Sequence, residues 1–484
     1  MQRLHKIVLL VSIIFFPFFI TDRVLAEIYW VSNNGTQTNI NNCKGSIPLL
    51  GVSCCTPATL FNSTSLTGGD IVYFRGGDGG LYTSSAGNEY GKPAYYPHSS
   101  GTSWDNPLVF KAYNNEKVVF RMGNRYPILG IRDTDYVTLD GFTVWMDSSF
   151  GNVSFGPFVT YSSSNKRLKG IRILNMIFEG DTGYNGDLKV LAHLTDLEGF
   201  LVSNCLFRNN VGTGGDLGNV VGLDTYNTRD STSPAIEAVI EKSTFYNITG
   251  AAINFKSGGK SENQCFNLII RQNLFYDVGI NTPNPAVSIG YDSTGAQIYQ
   301  NLFIDSGVSR SDAIGTDNTK IYNNTFIGHM DVNFGGTANT NISNYYNNGF
   351  VNNEWYNNIF RLKTANNYVI DVMGLGNTPS YCNHNGYYGY PPRFRLGSDT
   401  YNNLSAWQAA GWDTNSFTAD PLFVNYTGDE TGDYRLQSDS PYRNAGRNGI
   451  TLGAYIMGNE QIGYSREEHP DTTPPAPPTG VTIS

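Results

Sequence analysis

One short motif recurs along the middle of the chain: an aliphatic residue, a few polar residues rich in Asn, and an aromatic five positions after the aliphatic. It reads VTLDGF (Val137 to Phe142), ILNMIF (Ile173 to Phe178), VSNCLF (Val202 to Phe207), IEKSTF (Ile240 to Phe245), IRQNLF (Ile270 to Phe275), IYQNLF (Ile298 to Phe303), IYNNTF (Ile321 to Phe326) and WYNNIF (Trp355 to Phe360). Successive Phe positions are 36, 29, 38, 30, 28, 23 and 34 residues apart. A period of roughly 30 residues that drifts by whole loops, while the motif stays intact, describes a solenoid with one structural rung per repeat. Upstream of most motifs the residues alternate with period two, as in GIRILNMIF and NLIIRQNLF, which is strand patterning and excludes a helical solenoid.

Asparagine narrows the choice. Asn175 and Asn204 stand three before their Phe, Asn273 and Asn301 stand two before, and Asn323-Asn324 and Asn357-Asn358 occupy both positions. Asn tolerates the left-handed turn conformation, and its amide can bond up and down a column, so the spacing predicts a tight turn on every rung. Aliphatic and Phe columns then stack inside as one continuous core. The pattern resembles the right-handed parallel β-helix of the pectate-lyase-like superfamily of secreted proteins. The resemblance implies an all-β, single-stranded right-handed parallel β-helix over residues 27–465. The stretches IYWVSNNG (Ile28 to Gly35), GGDIVYFRGG (Gly68 to Gly77) and NPLVFKAYNNEKVVF (Asn106 to Phe120) resemble the opening rungs of such proteins. Between them, Thr56-Pro57-Ala58-Thr59-Leu60-Phe61 carries a capping Thr before a Pro at the first helical position, which predicts a short helix plugging the N-terminal end of the core. Leu404 to Asn425 and Asp433 to Gly446 are similar to the closing segment of bacterial β-helix proteins.

The termini read differently. Arg3 and Lys6 precede the apolar run Ile7 to Ile20, and Val24-Leu25-Ala26 supplies small or apolar residues before Glu27, the pattern of a secretory signal peptide over residues 1–26. The run is interrupted by Pro17 and is shorter than the roughly 20 residues a spanning helix needs, and no later segment approaches that length. A secreted, extracellular or cell-surface location is therefore expected, with no membrane-spanning segment. An exported chain can form disulfides, and among its 6 Cys residues, Cys43, Cys54 and Cys55 are close enough for one local bridge, while Cys205, Cys265 and Cys382 are scattered. Residues 466–484, with HPDTTPPAPPTGVTIS from His469, are Pro-rich and predict a disordered tail or linker. The net charge of -9 excludes the basic excess that a phosphate-tracking surface requires, so no nucleic-acid partner is expected. A monomer is expected.

Chemistry on such a scaffold sits on outward strand columns. Aligning the strands after each Phe on inward aliphatics places Val190, Val221, Ile253, Val287 and Ile314 in one column, and three residues on stand His193, Asp224, Lys256, Gly290 and Asp317. Three consecutive rungs are thus expected to present an imidazole, a carboxylate and an ammonium in line. Asp181, Asp187, Asp196, Asp216, Arg229 and Asp230 fall in the same stretch, mostly on long loops where a groove wall would form.

This constellation suits an acidic polysaccharide. β-Elimination needs a base to remove the proton alpha to a uronate carboxylate, and a cation to neutralise that carboxylate. Lys256 is the candidate base, with His193 and Asp224 as further catalytic candidates, and Asp216, Asp224 and Asp230 are candidate oxygen ligands for Ca²⁺. Members of the resembled group use a lysine base with calcium held by Asp residues of neighbouring rungs, and the FKSGG strand is similar to that setting. The loop Asn209 to Ser233, rich in Gly, would have to fold back over its own strand to close the ligand set. Hydrolysis would instead pair Asp224 with Asp196 or Asp230 as acid and base. A third reading is a non-catalytic adhesive or matrix rod, in which Asp224 and Lys256 form a surface ion pair worth under ~1 kcal/mol.

Overall fold

The computed structural model describes residues 26–465, except 77–79, 85–91, 148–155, 165, 186–188, 215–219, 228–237, 258–264, 280–285, 290–292, 311–317, 329–331, 335–351, 364–367 and 373–378. The termini expected to be a signal peptide and a tail thus lie outside the described residues. The chain is a right-handed parallel β-helix of three long sheets. A first sheet of 12 strands runs from Ile28–Val31 to Tyr381–Asn383. The second runs from Leu81–Ser84 to Phe417–Thr418, and the third, of 11 strands, from Leu129–Arg132 to a closing hairpin at Asp399–Tyr401. One rung takes a strand from each sheet in turn: Leu168–Leu174, Ile177–Glu179 and Lys189–Thr195, followed by Leu197–Ser203, Leu206–Gly214 and Val220–Asn227. Pairing between strands is parallel except in the hairpins Arg393–Leu396 with Asp399–Tyr401 and Phe423–Asn425 with Asp433–Leu436.

The motif spans the corner between first and second sheets, and its two Asn positions do different work. The residue three before the aromatic takes positive φ on every rung: Asn175, Asn204, Lys242, Gln272, Gln300, Asn323, Asn357 and His384 lie between 51° and 59°. That column is the tight turn. The residue two before points inward, and Asn273, Asn301, Asn324, Asn358 and Asn385 are wholly buried. Each amide Nδ2 donates to Oδ1 of the next rung, at 3.0 Å from Asn273 to Asn301, 3.0 Å from Asn301 to Asn324, 3.1 Å from Asn324 to Asn358 and 3.1 Å from Asn358 to Asn385. The aromatic column stacks beside it: Phe178, Phe207, Phe245, Phe275, Phe303, Phe326, Phe360 and Tyr387 follow one another with ring centroids 4.5 to 5.2 Å apart. The first repeat is an exception. Leu139 pairs with Ile173 and Val144 with Phe178, so VTLDGF is displaced by two residues, and Val144, not Phe142, holds the aromatic column's place.

Both ends of the core are plugged. Helix Pro57–Phe61 is capped by Thr56, whose Oγ1 accepts from the Thr59 N–H at 3.2 Å, and Phe61 lies flat on Phe110 at 5.1 Å. A disulfide joins Cys43 to Cys55 in this N-terminal region, while Cys54, Cys205 and Cys382 are buried thiols. At the other end helix Leu404–Ala409 lays the buried Trp407 on Phe394 at 5.0 Å. The chain then turns back. Phe423, Tyr434, Leu436, Tyr442 and Leu452 cover the outer face of the second sheet at Leu302, Ile304, Ile327 and Ile359. Residues 446–465 run down the Asn corner against the chain direction of the rungs, from Arg447 N–H on Asn357 Oδ1 to Ser465 N–H on Asn204 Oδ1.

Candidate functional site on the outward face of the third sheet

In the third sheet, Ala192, Leu223, Ile253 and Val287 occupy successive rungs and belong to the core, as do Leu194, Phe255 and Ile289. Alternation therefore turns His193, Asp224, Asn254 and Ser288 outward, where they pair in direct register. His193 Nδ1 lies 2.9 Å from Asp224 Oδ2, and Asn254 Nδ2 donates to Asp224 Oδ1 at 2.8 Å. The Asp224 carboxylate thus accepts from an amide on one neighbouring rung, and a ring nitrogen of the other rung lies close beside it. The pair is well shielded despite pointing away from the core, with side-chain exposures of 5% for His193 and 16% for Asp224.

Lys256 is not in this line. The strand Ile253–Ser257 pairs so that Asn254, not Lys256, faces Asp224, and Lys256 stands beside Tyr226. The expected alignment took Ile253 as the partner of Val221, whereas Ile253 pairs with Leu223, a slip of two residues that keeps the face and shifts the column. Lys256 therefore stands two positions, about 7 Å, further along its strand than Asn254. Val287 likewise pairs with Val308 rather than Ile314. Ile314, Gly290 and Asp317 lie outside the described residues, as do Asp187, Asp216, Arg229 and Asp230.

The segment expected to be one loop, Asn209 to Ser233, is mostly strand: Leu206–Gly214 and Val220–Asn227 both fall within or across it. Asp224 sits mid-strand, with Asp216 before the strand and Asp230 after it. Among the described residues no three His, Cys, Asp or Glu side chains come together as a metal site. Asp224 is a hard oxygen donor of the kind calcium takes, with lone pairs to spare beyond its two nitrogen contacts. Asp196 is buried at the corner after Thr195, with φ 54°. It stands one rung back from Asp224 and about 10 Å off along the strand, so the structure does not bring those two carboxylates together.

No family model matches the chain, and no curated relative does. Solved structures do. A pectate lyase, Pel9A, superposes with a TM-score of 0.54 over 88% of this chain and 96% of its own, at 16% identity. The shared property is the parallel β-helix. A rhamnogalacturonan lyase (TM-score 0.48, 13% identity, 86% of this chain and 97% of its own) and a mannuronic acid specific polysaccharide lyase of family 6 (TM-score 0.44, 14% identity, 75% and 89%) are also similar. Sequence reasoning missed Asn254, whose amide holds Asp224; nothing in INFKS distinguishes it from other outward Asn residues.

Proposed function

We propose that this protein is a secreted lyase that cleaves a uronate-containing polysaccharide by β-elimination. The observation that carries the reading is the His193–Asp224–Asn254 ladder on an outward sheet face, with Lys256 two positions beyond Asn254 on the same strand. The same fold in a protein named pectate lyase supports it. In this reading Lys256, as the free amine, removes the proton alpha to the uronate carboxylate. The C–H electron pair becomes the C4–C5 double bond, the C4–O bond breaks, and the departing glycosidic oxygen takes up a proton. Asn254 fixes Asp224, whose carboxylate lies against the His193 ring beside the reacting sugar. Calcium, held by Asp216, Asp224 and Asp230, would supply the positive charge that acidifies the proton.

Incubation with a panel of uronate polysaccharides, followed by absorbance of the unsaturated product, tests the reading. Lys256→Ala is expected to abolish that absorbance at an unchanged melting temperature; full activity in this variant overturns the assignment. Reducing ends without the chromophore would indicate hydrolysis, and no product from any polymer would leave the adhesive rod.

A further inference from the structure

The register position of Lys256 can be followed toward the N-terminus. Lys256 pairs with Tyr226, Tyr226 with Thr195, and Tyr161 with Arg132, and the pairing of His193 with Val159, carried two residues on, sets Thr195 level with Tyr161. Arg132 therefore lies on the same face of the same sheet, four rungs from Lys256, roughly 19 Å away.

The setting of Arg132 is built rather than incidental. Its guanidinium lies between two tyrosines, 5.9 Å from the Tyr96 ring centroid and 5.7 Å from that of Tyr161. Tyr96 is held in place by its neighbour: Tyr95 forms a bridge to Leu129, with Tyr95 N–H on Ile128 C=O at 2.9 Å and Gly130 N–H on Tyr95 C=O at 3.0 Å. The Tyr96 ring also packs on His98 at 4.6 Å. Gly130 permits the close approach, since a Cβ there would meet Pro93 at 2.8 Å and the Val159 carbonyl at 2.3 Å. Arg132 Nε donates to Asp133 Oδ2 at 3.3 Å, and Asp133 is itself fixed by the Ser163 N–H and hydroxyl, each at 2.6 Å. Among the described residues the two terminal nitrogens of Arg132 have no hydrogen-bond partner. Its side chain is 16% exposed. A planar fork held by aromatic faces, oriented through Nε and left with paired N–H groups at its end, is the arrangement that takes a carboxylate in two parallel hydrogen bonds.

We infer that Arg132, with Tyr96 and Tyr161, is a distal subsite that binds the carboxylate of a uronate residue in a polysaccharide lying along the helix axis. The inference rests on the acidic-polysaccharide reading and adds a length requirement to it: a pyranose unit advances about as far as one rung, so roughly four sugar units separate the subsite from Lys256. Asp133 is a positioning residue for the fork.

Binding of dimers and hexamers of galacturonate, mannuronate and guluronate to the full chain, measured by calorimetry in a Lys256→Ala background, tests the subsite. One hexamer is expected to bind at least tenfold more tightly than its dimer, and Arg132→Gln to remove most of that advantage. The methyl-esterified hexamer should bind alike with and without Arg132. If Arg132→Gln lowers the melting temperature, Arg132→Lys decides, since it keeps the charge but loses the fork: weakened hexamer binding at the parental melting temperature supports the subsite. Hexamer binding unaffected by either substitution, or no hexamer bound better than its dimer, overturns it. Length-dependent, Arg132-dependent binding by a parent protein that yields no unsaturated product would sink the lyase reading alone.

Discussion

The buried asparagines show how single residues set the direction of the core. Each inward Asn donates to the next rung and also to a main-chain carbonyl, as Asn273 does to Ile240 C=O and Asn301 to Ile270 C=O, both at 2.9 Å. Each Oδ1 accepts in turn from a backbone N–H, as from Ser243 and Asn273. A fully satisfied row of this kind polarises along its length and must end on an acceptor. It ends on Asp413, wholly buried, which accepts from Asn385 Nδ2, Tyr387 OH, Trp407 Nε1, Cys382 Sγ and the Ser416 hydroxyl. Asp413→Asn puts an N–H₂ group among donors, and we expect it to cost about 1–3 kcal/mol or more, read as a lower urea midpoint at unchanged slope. Burial also pushes the thiol of Cys54 up to about 11 and that of Cys205 up to about 12, so both stay protonated at pH 8. Alkylation at that pH, followed by peptide mapping, should leave both unlabelled in the native protein and label both in denaturant; native labelling would contradict their burial.

At the scale of elements, corners were more legible than strands. The positive-φ residue falls on the motif position where Asn clusters, and where the sequence has Lys242 or Gln272 instead the turn persists because its neighbours impose it. Strand alignment was less secure, and its displacements at Phe142 and Lys256 were both of two residues. In a strand with period two, a shift of two preserves which side chains are buried, so Ala251 and Ile253, both buried, serve equally as the inward anchor. The helical plug makes a prediction of its own. Phe61→Ala removes the ring that lies on Phe110 and packs against Phe74, and should destabilise the N-terminal rungs by about 3–5 kcal/mol. Because a solenoid's stability is a chain of nearest-neighbour terms, hydrogen exchange should accelerate in the strands Ile71–Phe74 and Leu108–Ala112 before those beyond Leu268–Arg271; uniform acceleration would contradict that picture.

The whole molecule joins ends that the repeat alone leaves separate. The returning segment 446–465 bonds to rungs far upstream, with Gly463 N–H on Gln272 C=O at 2.9 Å and Tyr464 N–H on Thr244 Oγ1 at 2.9 Å, so the last described residues lie beside the rung of Asp224 rather than at the C-terminal plug. Deleting residues 447–465 should uncover the corner and lower the melting temperature, with the loss concentrated in rungs from Asn204 to Asn357 by hydrogen exchange. Calcium is tested at this scale too. A ligand bound by the folded state alone raises its melting temperature, so calcium should shift the transition upward and chelator should reverse it, and Asp224→Ala should abolish the shift. A shift that survives Asp224→Ala would place the ion elsewhere.

The sequence by itself determined the rung, its corner and its core column, because these recur at every repeat and recurrence can be read in one dimension. It also singled out His193 and Asp224, which lie in neighbouring rungs 31 residues apart and pair directly. Only the tertiary structure decided what lies across the rungs: that Asn254 rather than Lys256 faces Asp224, and that Tyr96, from a segment before the third sheet begins, closes over Arg132 with Tyr161. Those contacts depend on how many residues each loop inserts between strands. Loop length is free to vary in a solenoid, and nothing local to a strand records which residue of the next rung it will meet.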